Sequence, residues 1–283
     1  MGLLAGKVAV ITGASRGFGL AMAQAFAEAG AAVVLGARSL PALEEAVKDL
    51  HARGYKAAAA RCDVSQQDEV VALRELALGS FGRLDIWVNN AGVGGVYGPT
   101  LEISPEDFER TLHTNVLGTY YGSLAAMDHF VKQGFGKLIN ITGRGDTAPV
   151  PMQNAYASSK IWIRWFSRAL AKETHGKGVE VILLNPGMMT TDLLTRVEVV
   201  AGHEQALKVL PMVIRMLAVP PEFSAARAVQ LASSQTDGRT GLEVHATGPL
   251  HLLLQAAREG LRWVAGKRDL PKLNSHSVPP DQR

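Results

Sequence analysis

The chain has 283 residues, of which 47% are hydrophobic, and a formal net charge of +3. It is long enough to bury a sizeable core, as one large α/β domain or two small ones. Basic and acidic residues are interspersed, so the stripe of Lys and Arg typical of nucleic-acid binding is absent. The single cysteine, Cys62, excludes an internal disulfide, and the histidines include no close pair at metal-ligand spacing.

The first residues, MGLLAGKVAVITG, contain no charged leader, and their apolar run is too short for a signal peptide. Gly6 stands where a myristoylation signal requires Ser or Thr. No run reaches the roughly 18 apolar residues of a membrane span. We therefore expect a cytoplasmic protein without an integral membrane segment.

Short β-branched or apolar runs alternate with helical patterns along most of the chain. Strands are predicted at 7–13, 31–38, 57–65, 84–92, 137–142, 179–187 and 241–247. Helices are predicted at 20–30, 40–54, 68–82 and 155–176. Alternation indicates parallel pairing, and continuous apolar strands indicate helices on both faces. The fold class is thus α/β, a Rossmann-like doubly wound sheet of about seven mainly parallel strands.

We predict one domain over residues 1–247, followed by an extension over 248–283. Residues 248–270 have apolar positions at helical spacing with Arg and Lys around them. Packing of this helix on its own domain is the favoured interpretation, while a lid, a partner surface or a membrane-surface element stay open. Residues 271–283, PKLNSHSVPPDQR, are polar and Pro-rich, and we expect them to be disordered or loosely draped.

The segment TGASRGFG, residues 12–19, places Gly13, Gly17 and Gly19 between the first predicted strand and the first helix. Glycines there allow a tight turn and a close approach of backbone to a phosphate. The free N–H groups of a helix N-terminus favour an anion such as a dinucleotide pyrophosphate.

The G-x-x-x-G-x-G spacing resembles the fingerprint of the short-chain dehydrogenase/reductase family. Further motifs follow in the family's order: CDV (62–64), NNAG (89–92), TNVLGT (114–119), YASSK (156–160) and NPG (185–187). The resemblance spans residues 7 to about 247. It implies a nicotinamide dinucleotide cofactor. From the spacing of the histidines we expect no metal. The residues that the resemblance assigns to the cofactor are Gly13, Ser15, Arg16, Gly17, Phe18, Gly19, Arg38, Asp63, Val64, Asn90, Ala91, Gly92, Tyr156, Lys160, Pro186, Gly187, Met189 and Thr191.

The end of the second strand distinguishes the two nicotinamide cofactors. A carboxylate there binds the ribose of NAD, whereas an Arg accommodates the 2′-phosphate of NADP. This chain has Arg38 and no acid, and Arg16 lies in the glycine loop. Two cations with no facing anion favour NADP(H).

Tyr156 and Lys160 are four residues apart and share one helix face. A nearby ammonium is expected to lower the pKa of the phenol, so that Tyr156 exchanges a proton with a carbonyl or alcohol. The resemblance implies that Lys160 also holds the nicotinamide ribose. It further implies that Asn115 anchors a water of a proton relay.

The family's serine, about thirteen positions before the tyrosine, is replaced here by Gly143. Another polar group could serve, such as Thr142, Arg144, Asn154 or Gln153. Thr142 is no simple replacement because neighbouring strand residues face opposite sides. The substrate could instead supply its own positioning group, or redox chemistry could be lost. Asp146 is either a turn residue or a second acid or base.

Residues 190–222 are long and apolar and predict a mobile substrate loop over a hydrophobic cavity. The helix after Tyr156 is apolar on more than one face, and the resembling proteins pair through it and the helix near Asn115, so a homodimer or homotetramer is expected. Complete burial of this helix within one subunit is the alternative. The prediction is an NADP(H)-dependent oxidoreductase interconverting a carbonyl and a secondary alcohol on a mainly apolar small molecule. The alternative is a cofactor-binding protein with a non-redox or regulatory function.

Overall fold

The computed structural model describes residues 2–248, 255, 259, 262 and 269–281. Two parallel sheets contain its strands. Their bounds are β1 (Val8–Thr12), β2 (Ala32–Ala37), β3 (Ala57–Arg61), β4 (Ile86–Asn89), β5 (Gly136–Ile141), β6 (Val179–Asn185), β7 (Arg196–Val200), β8 (Leu242–His245) and β9 (Asn274–Val278). The main sheet has seven strands in the order β3-β2-β1-β4-β5-β6-β8, which confirms the predicted fold class. The second sheet pairs β7 with β9.

Helices cover both faces of the main sheet. Their bounds are α1 (Gly17–Glu28), α2 (Leu40–Ala52), α3 (Gln67–Phe81), α4 (Pro105–Leu112), α5 (Gly118–Gln133), α6 (Asn154–Glu173), α7 (Asp192–Thr195), α8 (Leu210–Leu217) and α9 (Pro221–Ala232). Successive strand residues face opposite sides, so Ile11 packs with α1 and α9 while Val10 packs with α3 and α5. Within the described part of the chain, no helix has both the length and the apolar character needed to cross a membrane.

The strand order reverses between β1 and β4, and this reversal opens a crevice at the carboxyl ends of the strands. Ligands of open α/β sheets bind at such a switch point. The glycine loop follows β1, the Asn90 segment follows β4 and Gly143 follows β5. The predicted site residues are therefore gathered at one edge of the sheet.

The expectation that residues 271–283 are disordered or loosely draped is wrong for residues 274–278. Asn274–Val278 forms β9, which pairs in parallel with β7 from Arg196↔Asn274 to Val200↔Val278. The polar composition hid this strand because strand pairing uses backbone groups, which every non-proline residue carries. The helix predicted over 248–270 lies largely outside the described residues, although positions 255, 259 and 262 are helical.

Candidate active site

The glycine loop forms a cradle at the start of α1. Gly13 and Gly17 have φ of +66° and +55°, a backbone region that favours glycine. A Cβ on Gly19 would lie 2.3 Å from the carbonyl oxygen of Gly13, so only glycine lets the helix start so close to the turn. The first N–H groups of α1 receive no bond from the side chain at its N-cap. The cradle therefore fits a pyrophosphate group.

Thr12 and Asn90 join the glycine loop to the end of β4. The Thr12 hydroxyl accepts from the backbone N–H groups of Asn90 and Ala91 at 3.0 and 3.1 Å. The Asn90 amide donates to the Thr12 carbonyl at 2.9 Å. Sequence reasoning assigned Asn90 and Ala91 to the cofactor and overlooked Thr12, although it directly precedes Gly13.

A cleft of about 280 Å³ opens beyond the end of β3. It is lined by Arg38, Asp63, Ser65, Glu106, Glu109, Arg110, His113 and Thr114. Burial would raise the pKa of Asp63, but two hydrogen bonds from Ser65 and the charges of Arg38 and Arg61 outweigh it and lower that pKa. An ionised Asp63 is thus available as an acceptor for a base or ribose. Val64 is buried against Gly118.

Arg38 is exposed and lines this cleft, whereas Arg16 is exposed outside it. Arg16 Nη1 lies 3.1 Å from a carboxylate oxygen of Asp192, which the substrate loop supplies. The expectation that no anion faces the two arginines is therefore wrong. Sequence reasoning missed Asp192 because the pairing joins residues far apart in the chain, and its position directly after Thr191 was the available signal.

The NPG segment lies over the glycine loop. Gly187 has φ of +76° and its N–H donates to the Asn185 side chain at 3.0 Å. The Thr191 methyl lies 3.4 Å from where a Cβ on Gly17 would stand, so Thr191 reaches the phosphate cradle. The Pro186 carbonyl accepts from the Ser224 hydroxyl, and Met189 bridges to Val219 of the same loop.

Tyr156 and Lys160 lie on α6 beside the end of β5. Lys160 is buried, and its Nζ donates to the Ile141 carbonyl at 3.2 Å and lies 5.5 Å from the centre of the Tyr156 ring. Tyr156 is half-buried. The pair thus presents one proton-carrying oxygen with a cation behind it.

Asn115 is fully buried in a π-helical turn, His113–Leu117. Its amide nitrogen donates to Ser159 Oγ at 3.0 Å and to the Val93 carbonyl at 3.0 Å, and its oxygen accepts from the Val93 N–H at 2.9 Å. The side chain therefore ties α6 to the loop after Gly92. Ser159, to which sequence reasoning assigned no role, completes this connection.

Burial controls the ionisation of the Tyr156–Lys160 pair. The pKa of Tyr156 is raised to about 12, first by desolvation and then by the Asp146 carboxylate, while Arg144 acts in the opposite direction. Burial lowers the pKa of Lys160 to about 8, and Asp146 opposes that shift. The expected lowering of the phenol pKa is therefore wrong for this structure, because desolvation of the phenolate and the Asp146 charge outweigh the opposing charge of Arg144.

Gly143 contacts the tyrosine directly. A Cβ at position 143 would lie 2.7 Å from the Tyr156 hydroxyl oxygen and 3.8 Å from Lys160 Cε. The phenol oxygen would therefore have to shift to accommodate a serine at this position. Thr142 is buried and lines a cavity of about 10 Å³ with Asp146 and Asn185.

Asp146 is only 6% exposed, whereas Arg144 is exposed, as is Asn154 at the start of α6. One carboxylate oxygen of Asp146 accepts from Asn185 Nδ2 at 3.0 Å, and its N–H donates to the Gly143 carbonyl at 3.2 Å. Its carbonyl accepts from Arg164, which is paired with Glu243. Asp146 is therefore a buried anion beside the Tyr156–Lys160 pair.

The chain belongs to the short-chain dehydrogenase family. The family model, described as short chain dehydrogenase, matches residues 7–199. Glucose 1-dehydrogenase 2 of Bacillus subtilis is 33% identical over 88% of this chain and 96% of its own length. 3beta-hydroxysteroid dehydrogenase 1 of Eggerthella lenta is 35% identical over 88% of this chain and 95% of its own.

Two solved structures share the fold. The 3-ketoacyl-(acyl-carrier-protein) reductase of Brucella melitensis, complexed with NADH, has a TM-score of 0.77 and 32% identity over 88% of this chain and 99% of that one. A variant of the actinorhodin polyketide ketoreductase with NADPH has a TM-score of 0.78 and 25% identity over 87% of this chain and 97% of that one. This protein is thus a Rossmann-like oxidoreductase that uses a nicotinamide cofactor and acts on alcohol and carbonyl groups.

Proposed function

We propose that this protein is an NADP(H)-dependent oxidoreductase that interconverts a carbonyl and a secondary alcohol on a mainly apolar small molecule. The observation that carries the proposal is the Tyr156 hydroxyl, which contacts Gly143 at the carboxyl end of β5 and has Lys160 behind it on the same helix. A phenol at the open side of a crevice beside a phosphate cradle is placed to act as a general acid or base.

In carbonyl reduction, the substrate oxygen accepts the Tyr156 proton while the carbonyl carbon gains a hydride. The reduced nicotinamide supplies that hydride when it is bound. The C=O π electrons become a lone pair on oxygen, which the tyrosine proton converts to the alcohol. Tyr156 is left as a phenolate, which the Lys160 ammonium stabilises. Solvent returns the proton, and we propose that Asn115 anchors the water on that route.

Asp146 has a defined part in this scheme as a positioning residue. A phenolate next to a neutral amine is poorly stabilised, so the reduction requires Lys160 in its charged form. Burial acts against that form, and the Asp146 anion favours it. The carboxylate beside Gly143 thus helps Lys160 to retain its proton near neutral pH.

The preference for NADP(H) rests on Arg38. Its guanidinium lines the cleft at the end of β2, where the cofactor ribose binds in this fold. Arg16 contributes to binding of the 2′-phosphate only if that phosphate competes with the Asp192 carboxylate for the Arg16 guanidinium. Glu106 and Glu109 also line the cleft, so the site is not uniformly cationic. A 2′-phosphate bound by Arg38 would gain a charge-assisted, bidentate contact.

The substrate class follows from the substrate loop. Ile214 and Leu207 are buried, while Met212 and Met216 are 46% and 40% exposed, so the loop has apolar side chains beyond those its own packing uses. Flexible methionine side chains fit varied apolar ligands. An apolar ketone or alcohol therefore suits this loop better than a sugar.

The alternative, a cofactor-binding protein without redox function, is favoured by Gly143 alone. Loss of the serine hydroxyl removes a contact of the oxyanion type, worth about 3 kcal/mol. Such a loss slows a reaction without abolishing it, since the proton donor remains.

Replacing Tyr156 by Phe should abolish carbonyl reduction across a panel of apolar ketones, because the proton donor is removed while the cradle is untouched. Turnover with NADPH is followed at the cofactor's absorbance, and cofactor affinity by fluorescence titration. The variant is expected to lose turnover while its affinity for NADPH stays unchanged. The cofactor preference is checked in the wild type, whose turnover with NADH should be lower than that with NADPH.

Two results would contradict this proposal. One is a wild-type protein that binds NADPH tightly and never oxidises it on any carbonyl. The other is a Tyr156→Phe variant with wild-type turnover.

The rate of reduction should fall as the pH rises through about 8, where Lys160 loses its proton, while Tyr156 stays protonated to about pH 12. In Asp146→Asn the decline should move to lower pH, because the anion that raises both pKa values is gone. The measurement is kcat/KM against pH. Glu243→Gln is the control, since Glu243 lines the same cavity but is paired with Arg164 and Arg168. A decline at the same pH in Asp146→Asn would refute the role.

Gly143→Ala should lower kcat by about a hundredfold, because the new methyl displaces the phenol from its working position. Gly143→Ser adds the same Cβ together with a hydroxyl, so its kcat should lie between those of the alanine variant and the wild type. Kinetics of the matched pair separate displacement from hydrogen bonding. A serine variant faster than the wild type would show that the missing hydroxyl limits the reaction.

We also propose a homo-oligomer formed through α5 and α6. Trp165 is 60% exposed, and Tyr120 and Leu124 are 38% and 42% exposed. The apolar face that these side chains form on α5 and α6 is therefore not covered within the described part of the subunit. Trp165→Asp should shift the protein toward monomer in sedimentation velocity. Lys172→Asp, at an exposed position of α6, is a control. A wild-type monomer at micromolar concentration would overturn this proposal.

A further inference from the structure

The tail forms the outer strand of a small sheet beside the active site. Tyr97 bridges to Val199, with the Tyr97 N–H donating to the Glu198 carbonyl at 2.8 Å and the Val200 N–H donating to the Tyr97 carbonyl at 3.0 Å. On its other edge β7 pairs with β9 along its whole length. Three segments are thus joined in the order loop after β4, substrate loop, tail.

A hydrophobic cluster separate from the main core lies under this sheet. Val96, Ile103 and Val200 are buried in it, and Phe108 and Val278 pack against it. Val278 is the one apolar side chain of β9. Without the tail, the cluster would lose the side chain that covers it from the outer strand.

Polar contacts attach the tail at further points. The Asp281 N–H donates to the Glu102 carbonyl at 2.9 Å, and Ser277 Oγ donates to a carboxylate oxygen of Glu204 at 2.7 Å. Arg215 of α8 donates to the Asp269 carbonyl at 3.0 Å and pairs with Glu259. The tail therefore contacts the substrate loop at several positions along its length.

The substrate loop also reaches the catalytic crevice. Thr191 approaches the glycine loop, Asp192 pairs with Arg16, and Leu193 lies 3.7 Å from where a Cβ on Gly94 would stand. These residues closely precede β7. An element that fixes the position of β7 therefore also fixes the position of residues 191–193 over the crevice.

We propose that residues 269–281 are a specificity-determining clamp that holds the substrate loop closed over the active site. The family model ends at residue 199 and includes no part of this segment. Ordering a flexible loop costs conformational entropy. Because the clamp already orders the substrate loop in the folded protein, substrate binding does not have to meet that cost, and substrate affinity is higher. The kinetic consequence rests on the proposed function, whereas the structural one does not.

The first test is hydrogen exchange on a chain ending at Arg268. The amides that face β9, such as the Ala201 N–H, which donates to the Val278 carbonyl at 2.8 Å, should exchange about tenfold faster or more than in the full chain, because they lose their acceptors. Amides of β1 and β2 should keep their protection, which shows that the main sheet is intact. Unchanged protection of the amides that face β9 would overturn the clamp.

Point variants separate the clamp from a general effect of truncation. Val278→Asp places a charge against the small cluster and should reproduce the faster exchange of the amides that face β9. Ser275→Asp, at an exposed position of the same strand, is the matched control and should leave it unchanged. Equal effects of the two variants would overturn the role of the cluster.

The second test is kinetic. With an apolar ketone and NADPH, truncation and Val278→Asp should raise KM about tenfold, while kcat changes less than about twofold, because the loop then has to be ordered on binding. Faster exchange with unchanged KM would overturn the specificity role. Faster exchange in a protein that reduces no carbonyl would leave the clamp standing and refute the proposed function.

Discussion

The chemistry proposed for this protein depends on a buried amine. Lys160 lies at the end of β5 with one hydrogen bond to the Ile141 carbonyl and a phenol beside it. Desolvation favours its neutral form, and only its charged form stabilises a phenolate. The Asp146 carboxylate, fixed by Asn185 and by the turn from Gly143, offsets part of that cost. The protonation state of Lys160 thus depends on burial and on the Asp146 carboxylate, and not on the Tyr156–Lys160 pair alone.

Gly143 belongs to the same balance. The absence of a side chain lets the Tyr156 hydroxyl lie against the backbone at the end of β5, in space that a serine would share with it. The replacement is thus more than a lost hydroxyl, because it changes where the phenol lies. The turn that follows Gly143 places Asp146 in the protein interior, so the GRGD segment shapes both the position and the electrostatics of the phenol.

The substrate loop connects the two halves of the crevice. Its beginning contacts the phosphate cradle through Thr191 and Asp192, and its middle forms β7 between Tyr97 and the tail. In the proposed function, closure over a substrate and occupation of the cradle would therefore involve the same short segment. A phosphate that approached Arg16 would compete with Asp192 for its guanidinium. A shift of the Asp192 carboxylate would then change the position of the substrate loop.

The order of elements, the parallel sheet and the glycine turn could be predicted from sequence because each depends on short-range patterns: apolar runs, helical periodicity and residues that tolerate positive φ. The shared helix face of Tyr156 and Lys160 has the same local origin. The direction of the phenol pKa, the burial of Asp146, the Arg16–Asp192 pair and strand β9 could not. Each depends on how deeply a group is buried or on which distant segment lies beside it, and composition carries neither quantity. Only the tertiary structure, which brings distant parts of the chain into contact, decides them.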